Sequence, residues 1–497
     1  MGAEVSAPTA FQDSIVKPVT QRRKSISAVL PPKAHIISLG CPKNLVDTER
    51  YAAILESQGY ALTDFPEEAS LILVNTCSFI DQAKTESIET LLEVAGGKRE
   101  DQHLVVAGCL VDRYRKDLEN EFPEVDLWTD MNHFGEAPKD LASLTPAVLP
   151  DGFLPLASLN GVPSNGIPWA SFKRKSLTRS HSVYLKISEG CSHTCAFCSI
   201  PSFKGNQRSV PVETLVEEAR VLARQGAREI TLIGQDTVAY GRDLDPGRTV
   251  HLRLLLEHLN EIDGIEWIRV LYTYPTRLAD EIEWAYLNLP KCIPYLDLPL
   301  QHLSDRVLER MRRGTPYASI LKHVNRLRKS VPDLVVRSTC IVGFPGETAN
   351  DFKLLQERFS ELAVDHLGVF RYSDEEGTPA LNLDRKVTRR TADKRYHEMT
   401  EWAAGFCQER ASKRMGATYT VLADYPCQFP ENLFPKAPRR YQEWWCGRWY
   451  GQAPEIDGVV YFPSTSTRAG DFVNVQLEDV LYPDYLAHSV GGSQTGR

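Results

Sequence analysis

VYLKISEGCSHTCAFCSIPSFKG, residues 183–205, is the stretch on which the fold turns. An apolar run at 183–187 reads as a strand, and Cys191, Cys195 and Cys198 follow it at once in CxxxCxxC spacing. Three thiolates this close can ligate three irons of one 4Fe-4S cube and leave the fourth iron open. An open iron can chelate the amino and carboxylate groups of S-adenosylmethionine and pass an electron to its sulfonium. Carbon–sulfur cleavage then gives a 5′-deoxyadenosyl radical, chemistry that belongs to the cofactor. A structural zinc site is the competing reading, but it wants four closed ligands, and no fourth one has finger-like spacing. His193 lies inside the loop itself.

On either side of this loop, apolar runs alternate with helical stretches. VYLKI (from 183), ITLIG (230), IRVLYT (268), YLDLP (295), VVRSTCIVG (335) and HLGVFRY (366) are six strand candidates. Six βα units in a row predict a partial parallel (βα)6 barrel over 179–413, with its site at the carboxyl ends of the strands. Upstream, HIISLG (35), LILVNT (71) and HLVVAG (103) predict a second, flavodoxin-like parallel α/β domain over 34–149. Cys41, Cys77 and Cys109 each follow one of these three runs. The carboxyl ends of parallel strands share one edge, so three cysteines far apart in sequence converge there, as a second cluster site would require. Three unrelated buried thiols are the plain alternative, since free cysteine is often buried.

Downstream, TYTVLADY, GVVYF and FVNVQLEDVL alternate as strands and predict a small antiparallel β-barrel over 416–487. Residues 1–33 are expected to be a flexible extension, 150–178 a linker rich in Pro, Gly and Ser, and 488–497 a flexible tail. The extension lacks the apolar core of a secretory signal. With 11 cysteines and no export signal, metal or redox chemistry in the cytoplasm is a better expectation than a disulfide framework. A net charge of −8 argues against one large nucleic-acid-coating face. No run is long and apolar enough for a membrane span, and no long coiled-coil pattern appears, so a monomer is expected. Cys292, Cys340 and Cys407 read as ordinary thiols; Cys427 and Cys446 flank an unusual segment and read as ordinary thiols too, with a metal pair or redox disulfide as the minor alternative.

SLGCPKN at 38–44, NTCSFID at 75–81, AGCLVDRY at 107–114 and EGCSHTCAFCSIPS at 189–202 together resemble the methylthiotransferases, radical-SAM enzymes. The resemblance covers nearly the whole chain after the extension. It implies an auxiliary 4Fe-4S cluster on Cys41, Cys77 and Cys109, a radical-SAM 4Fe-4S cluster on Cys191, Cys195 and Cys198, and a C-terminal TRAM domain. YLDLPLQH, RSTCIVGFPGE and APEIDGVVYF are similar to the branch that modifies a ribosomal protein. The tRNA-modifying branch usually has a serine-rich continuation where this chain has His302-Leu303. The implied reaction is methylthiolation of the β-carbon of one aspartate in the twelfth small-subunit ribosomal protein. One S-adenosylmethionine supplies the methyl group and a second the radical. Two rivals are a tRNA adenosine methylthiotransferase and an iron–sulfur electron-transfer protein without catalysis of its own.

Further cofactor contacts are expected from Phe197 in the cluster loop, Arg208, Gln301 and Arg337 near strand ends or that loop, and Gln235 and Asp236 after ITLIG. Gly343 and Gly346 of the GFPGE turn would let backbone approach the cofactor closely. Each of these has an ordinary structural alternative. The chain departs from the family in QFPENLFPKAPRRYQEWW (428–445), which looks inserted into the TRAM-like domain. Arg439, Arg440 and Arg448 interleaved with Trp444, Trp445 and Trp449 suggest a docking face, for the protein substrate rather than for stacked bases.

Overall fold

The computed structural model describes residues 31–129 and 174–490, apart from 246, 248, 276–278 and 436–442. Most of the expected extension, linker and tail lies outside these residues, as do Arg439 and Arg440.

The first unit is a five-stranded parallel sheet of β1 (Lys33–Ser38), β2 (Ala61–Leu62), β3 (Leu71–Thr76), β4 (His103–Gly108) and β5 (Leu127–Trp128). Its order is β2-β1-β3-β4-β5. This is the doubly wound order in which chain direction reverses between β1 and β3, opening a crevice at their carboxyl ends. All six residues of β3 are buried, which is why a central parallel strand reads as a continuous apolar run. The edge strands β2 and β5 have two residues each, too few to carry a periodic signal, and the sequence reading did not include them.

The second unit is a six-stranded sheet, β6 (Ser182–Lys186), β9 (Glu229–Ile233), β10 (Trp267–Val270), β11 (Cys292–Gln301), β12 (Val335–Val342) and β13 (His366–Arg371). The strands lie in chain order and all pair in parallel. A short ribbon, β7 (Ser188–Glu189) with β8 (Arg208–Ser209), flanks the cysteine loop. Helices cover the outer face. In Val212–Arg224 the buried positions are Val212, Leu215, Val216, Ala219 and Leu222, the spacing of one apolar stripe. These side chains join Val183, Leu185, Ile230, Leu232, Ile268 and Val270 in the main core. Alternation along each strand therefore turns Tyr184, Glu229, Arg269, Tyr295, Arg337 and His366 to the opposite, inner face.

The third unit is a closed barrel of β14 (Thr418–Cys427), β15 (Trp444–Trp449), β16 (Val460–Pro463), β17 (Phe472–Leu481) and β18 (Asp484–Ser489). One strand, β15, begins on the last two residues of the expected aromatic insertion, and β18 runs through 489. The reading of Arg448, Trp444 and Trp449 as surface anchors is overturned: they are 1%, 5% and 1% exposed. Arg448 donates to Asp424 at 2.8 and 3.0 Å and to Glu229 of the parallel barrel at 2.7 Å.

This small barrel closes the amino-terminal floor of the open parallel one. Its segment 450–457 reaches the inner face: Arg269 donates to the Tyr450 carbonyl at 2.8 Å, His366 meets the Gly451 carbonyl at 2.9 Å and Tyr184 donates to that of Pro454 at 3.4 Å. Asp457 receives the Tyr295 hydroxyl and the Arg337 guanidinium. Arg337 sits three residues into β12 and also pairs with Asp297 at 3.1 Å. It is thus tied to the floor, not to the strand end where a cofactor contact was expected.

Candidate active site

The first cysteine triad lies along one edge of the N-terminal sheet. Cys41 caps the helix Pro42–Ser57, Cys77 follows β3 directly, and Cys109 opens the helix Cys109–Glu121 directly after β4. Since β1, β3 and β4 are neighbours, the three positions are adjacent, and Cys41 and Cys77 flank the point where strand order reverses. Two glycines make the approach possible. A Cβ on Gly40 (φ +88°) would lie 2.5 Å from the Cys77 Cβ, and one on Gly108 (φ +97°) 2.3 Å from Asn75 Oδ1. Asn44 ties the edge together. Its amide donates to the carbonyls of Leu39 (3.1 Å) and Thr76 (2.8 Å), while Oδ1 accepts from the Cys109 thiol at 3.6 Å. Burial pushes the Cys77 and Cys109 thiols above their ordinary value, reinforced by neighbouring cysteines.

The second triad sits at the carboxyl end of β6. Gly190 (φ +76°) starts the loop, where a Cβ would meet the Asn206 carbonyl at 2.4 Å. The Cys191 N–H donates to the Gly205 carbonyl at 3.1 Å, and Ala196 is pinned on both sides, to the Met311 carbonyl and the Ala380 N–H. Cys195 is 8% exposed, and Cys191 and Cys198 are half-buried. Burial raises Cys191 to about 11 and Cys198 to about 12, so without a metal both are thiols at neutral pH. All eleven cysteines are unbridged. Among the described residues no three His, Cys, Asp or Glu side chains converge on a single metal ion. A cube instead takes each thiolate on a different iron, and both triads offer three sulfurs with no carboxylate or imidazole among them.

Other expected residues divide. Asp236 is buried beside the loop, with Oδ2 2.7 Å from His193 Nε2 and Oδ1 without a partner. Gln235 donates to Glu189 at 2.9 Å and leaves its buried Oε1 unpartnered. Orphaned buried acceptors cost free energy unless a ligand satisfies them. Gln301 ends β11 with φ +71°, a strained conformation for a side-chain-bearing residue that clusters at functional sites. Phe197 packs against the small apolar cluster that includes Met311 and Phe344, and Arg208 stands opposite Glu189 on the ribbon. The two glycines of the turn serve internal packing: a Cβ on Gly343 would meet Ala392 at 2.7 Å, and one on Gly346 would meet Arg310 at 2.5 Å.

Charged side chains that the sequence reading passed over join the two edges. Lys204, six residues past Cys198, forms an ion pair with Asp112, three past Cys109, at 2.7 Å. Lys186 of β6 bonds Asp47 at 2.8 and 2.9 Å. Lys43, two residues past Cys41, lies 3.8 Å above the ring of Tyr272, just beyond β10. Burial would lower Lys204, but Cys109, Glu189, Asp112 and Asp47 hold its ammonium well above the ordinary value. Burial likewise opposes ionisation of Glu189, yet Lys186 and Lys204 keep its carboxyl below the usual range. Tyr274 and Arg313 complete the surroundings of Cys195. Lysines following family cysteines, as in CPKN and SFKG, were the available signal. Nothing local marks Tyr274 or Arg313.

Known proteins match the chain along most of its length. Family models match at 33–130 (uncharacterized protein family UPF0004), 185–359 (radical SAM superfamily) and 416–490 (TRAM domain). The ribosomal protein uS12 methylthiotransferase RimO of Symbiobacterium thermophilum is 41% identical, covering 95% of this chain and 94% of its own. Those of Aquifex aeolicus and Geobacter sulfurreducens are 40% and 39% identical, each over 90% of this chain and 95% and 96% of their own. Among solved structures, the radical S-adenosylmethionine methyltransferase TsrM of Kitasatospora setae, with cobalamin and a 4Fe-4S cluster bound, aligns with TM-score 0.51 at 14% identity. The alignment covers 70% of this chain and 77% of TsrM and shows likeness of fold. With three curated relatives near 40% identity over nearly its whole length, the chain belongs to the RimO family of radical-SAM methylthiotransferases.

Proposed function

We propose that this enzyme methylthiolates the β-carbon of an aspartate in ribosomal protein uS12. The observation that carries this reading is the pair of cysteine triads on two parallel-sheet edges, joined by the Lys204–Asp112 ion pair. Cys41, Cys77 and Cys109 would hold an auxiliary 4Fe-4S cluster, and Cys191, Cys195 and Cys198 the cluster that binds S-adenosylmethionine. When bound, these groups supply the reducing electron, the methyl group, the sulfur and the carbon–sulfur cleavage that starts hydrogen abstraction.

The chain's own residues hold both sites in place. Asn44 fixes the auxiliary edge, the loop around Ala196 fixes the other, and the lysine–carboxylate pairs keep the edges facing across a buried boundary. Gln235 and Asp236, with unpartnered buried acceptors, are suited to the donor groups of S-adenosylmethionine. The lysines beside the auxiliary edge would offset the negative charge of a thiolate-bound cluster. Enclosure by the third barrel below would keep water from the reacting centre. The same barrel is the proposed docking element for the protein substrate, and a cytoplasmic site of action fits a ribosomal substrate. No described helix is long and apolar enough to cross a membrane.

The test is anaerobic reconstitution with iron and sulfide, followed by reductant, S-adenosylmethionine and uS12, with mass spectrometry of the product. A methylthio mark on one aspartate, absent with Cys77→Ala, supports the reading. Formation of 5′-deoxyadenosine with unmarked uS12 would leave the radical chemistry standing and remove this substrate. Transfer RNA would then be tried.

A further inference from the structure

Cys195 differs from its two loop partners in what surrounds its sulfur. The Arg313 Nη1 lies 3.5 Å from Sγ and the Tyr274 hydroxyl 3.7 Å from it, whereas backbone N–H groups of His193 and Ile200 serve Cys191 and Cys198. Both side chains are held from several directions. The Tyr274 ring stacks on His193 at 3.7 Å and 8°, its face lies 4.0 Å from the Arg313 guanidinium, and its hydroxyl reaches the Arg313 carbonyl at 3.3 Å. Arg313 also donates through Nη2 to the Pro299 carbonyl, is 5% exposed, and leaves Nε without a partner. A guanidinium is permanently charged, and enclosure spares it the screening that salt imposes on surface charges.

We infer that Arg313 and Tyr274 are positioning residues that set the reduction potential of the S-adenosylmethionine-cleaving cluster through the sulfur of Cys195. This rests on the proposed reading that Cys195 is one of that cluster's ligands. One electron from an external reductant makes the cube more negative by one charge, with no bond formed or broken. Donors aimed at a ligand sulfur stabilise the reduced form more than the oxidised one, so they raise the potential. The stacked His193, held in turn by Asp236, fixes the Tyr274 ring, whose single hydroxyl proton is shared between Cys195 Sγ and the Arg313 carbonyl, so Arg313 carries the larger part of the effect.

The experiment uses the full-length chain with Cys41→Ala, Cys77→Ala and Cys109→Ala, so that one cluster loads. Its potential is titrated by electron paramagnetic resonance. Relative to this parent, Arg313→Met is expected to lower the ratio of reduced to oxidised cluster at a fixed potential about tenfold, equivalent to about 59 mV for a one-electron couple. Tyr274→Phe, which keeps the ring, lowers it by a smaller factor, and Arg313→Lys, which keeps the charge, falls between parent and Met. Fully loaded variants that titrate at the parental potential overturn the inference. If Arg313→Met takes up no cluster, Tyr274→Phe and Arg313→Lys decide the matter by the same criterion. A parent that forms no cube overturns the cluster assignment itself and the tuning with it.

Discussion

Lys204 shows how much of this molecule rests on single buried charges. Its ammonium is 4% exposed and Asp112 is fully enclosed, so neither is solvated if the other is removed. Lys204→Met is expected to destabilise the metal-free chain by about 3–5 kcal/mol, because it removes the ammonium from beside a buried carboxylate. Denaturant titration measures this, and Lys204→Met with Asp112→Asn should recover part of the loss. No loss in the single variant would mean that Asp112 is hydrated despite its burial. The placement of the six cysteines was legible in sequence, because each follows an apolar run that reads as a strand. It was not legible at Lys204, one lysine among many, whose partner lies 92 positions away.

At the scale of elements, the decisive feature is a strand that stops and hands its chain to a tight turn. Gly190 and Gly108 both occupy positive φ with backbone carbonyls where a Cβ would go. Gly190→Ala is expected to cost more than about 1 kcal/mol and, more tellingly, to reduce iron uptake by the Cys191 loop. Iron and sulfide analysis after reconstitution measures it. Full uptake would show that the loop accommodates the shift. A control is Gly405→Ala, on an open helical surface with nothing within 4 Å, which should leave iron uptake unchanged and stabilise the chain by up to about 1 kcal/mol. The six parallel-barrel strands were legible because each is an apolar run bounded by helical periodicity. β15 was not: WWCGRW is almost wholly buried, so it shows no alternation, and the proline-rich stretch before it reads as a loop.

For the whole molecule, the junction between the parallel barrel and the small one depends on Arg448, which pairs with Asp424 within the small barrel and with Glu229 across the boundary. Burial pushes the Asp424 carboxyl up, but Arg448, His181 and Arg179 outweigh it and leave it well below the ordinary value. A depressed carboxyl contributes stability that is fully present above its unfolded value of about 3.9 and is lost as pH falls from there toward the folded value. The metal-free chain should therefore lose stability below about pH 4. Arg448→Met should be less stable at pH 7 by about 3–5 kcal/mol and show a flatter acid limb. Urea midpoints between pH 3 and 7 test both, and parallel curves for the two proteins would rule out this junction as the source of the acid sensitivity.

What the sequence determined by itself was local or periodic. The CxxxCxxC spacing, the six apolar runs and the three cysteines placed after strands follow from short-range patterns, and strand parallelism carries those cysteines to one edge without further information. What the tertiary structure decided was every partnership between distant charges. Lys204 with Asp112, Arg448 with Glu229, Arg337 with Asp457 and Arg313 with Cys195 join residues between 92 and 219 positions apart. Such pairs leave no trace in periodicity, because a buried ion pair is specified by the enclosure around it. That enclosure exists only once the sheets have packed face to floor.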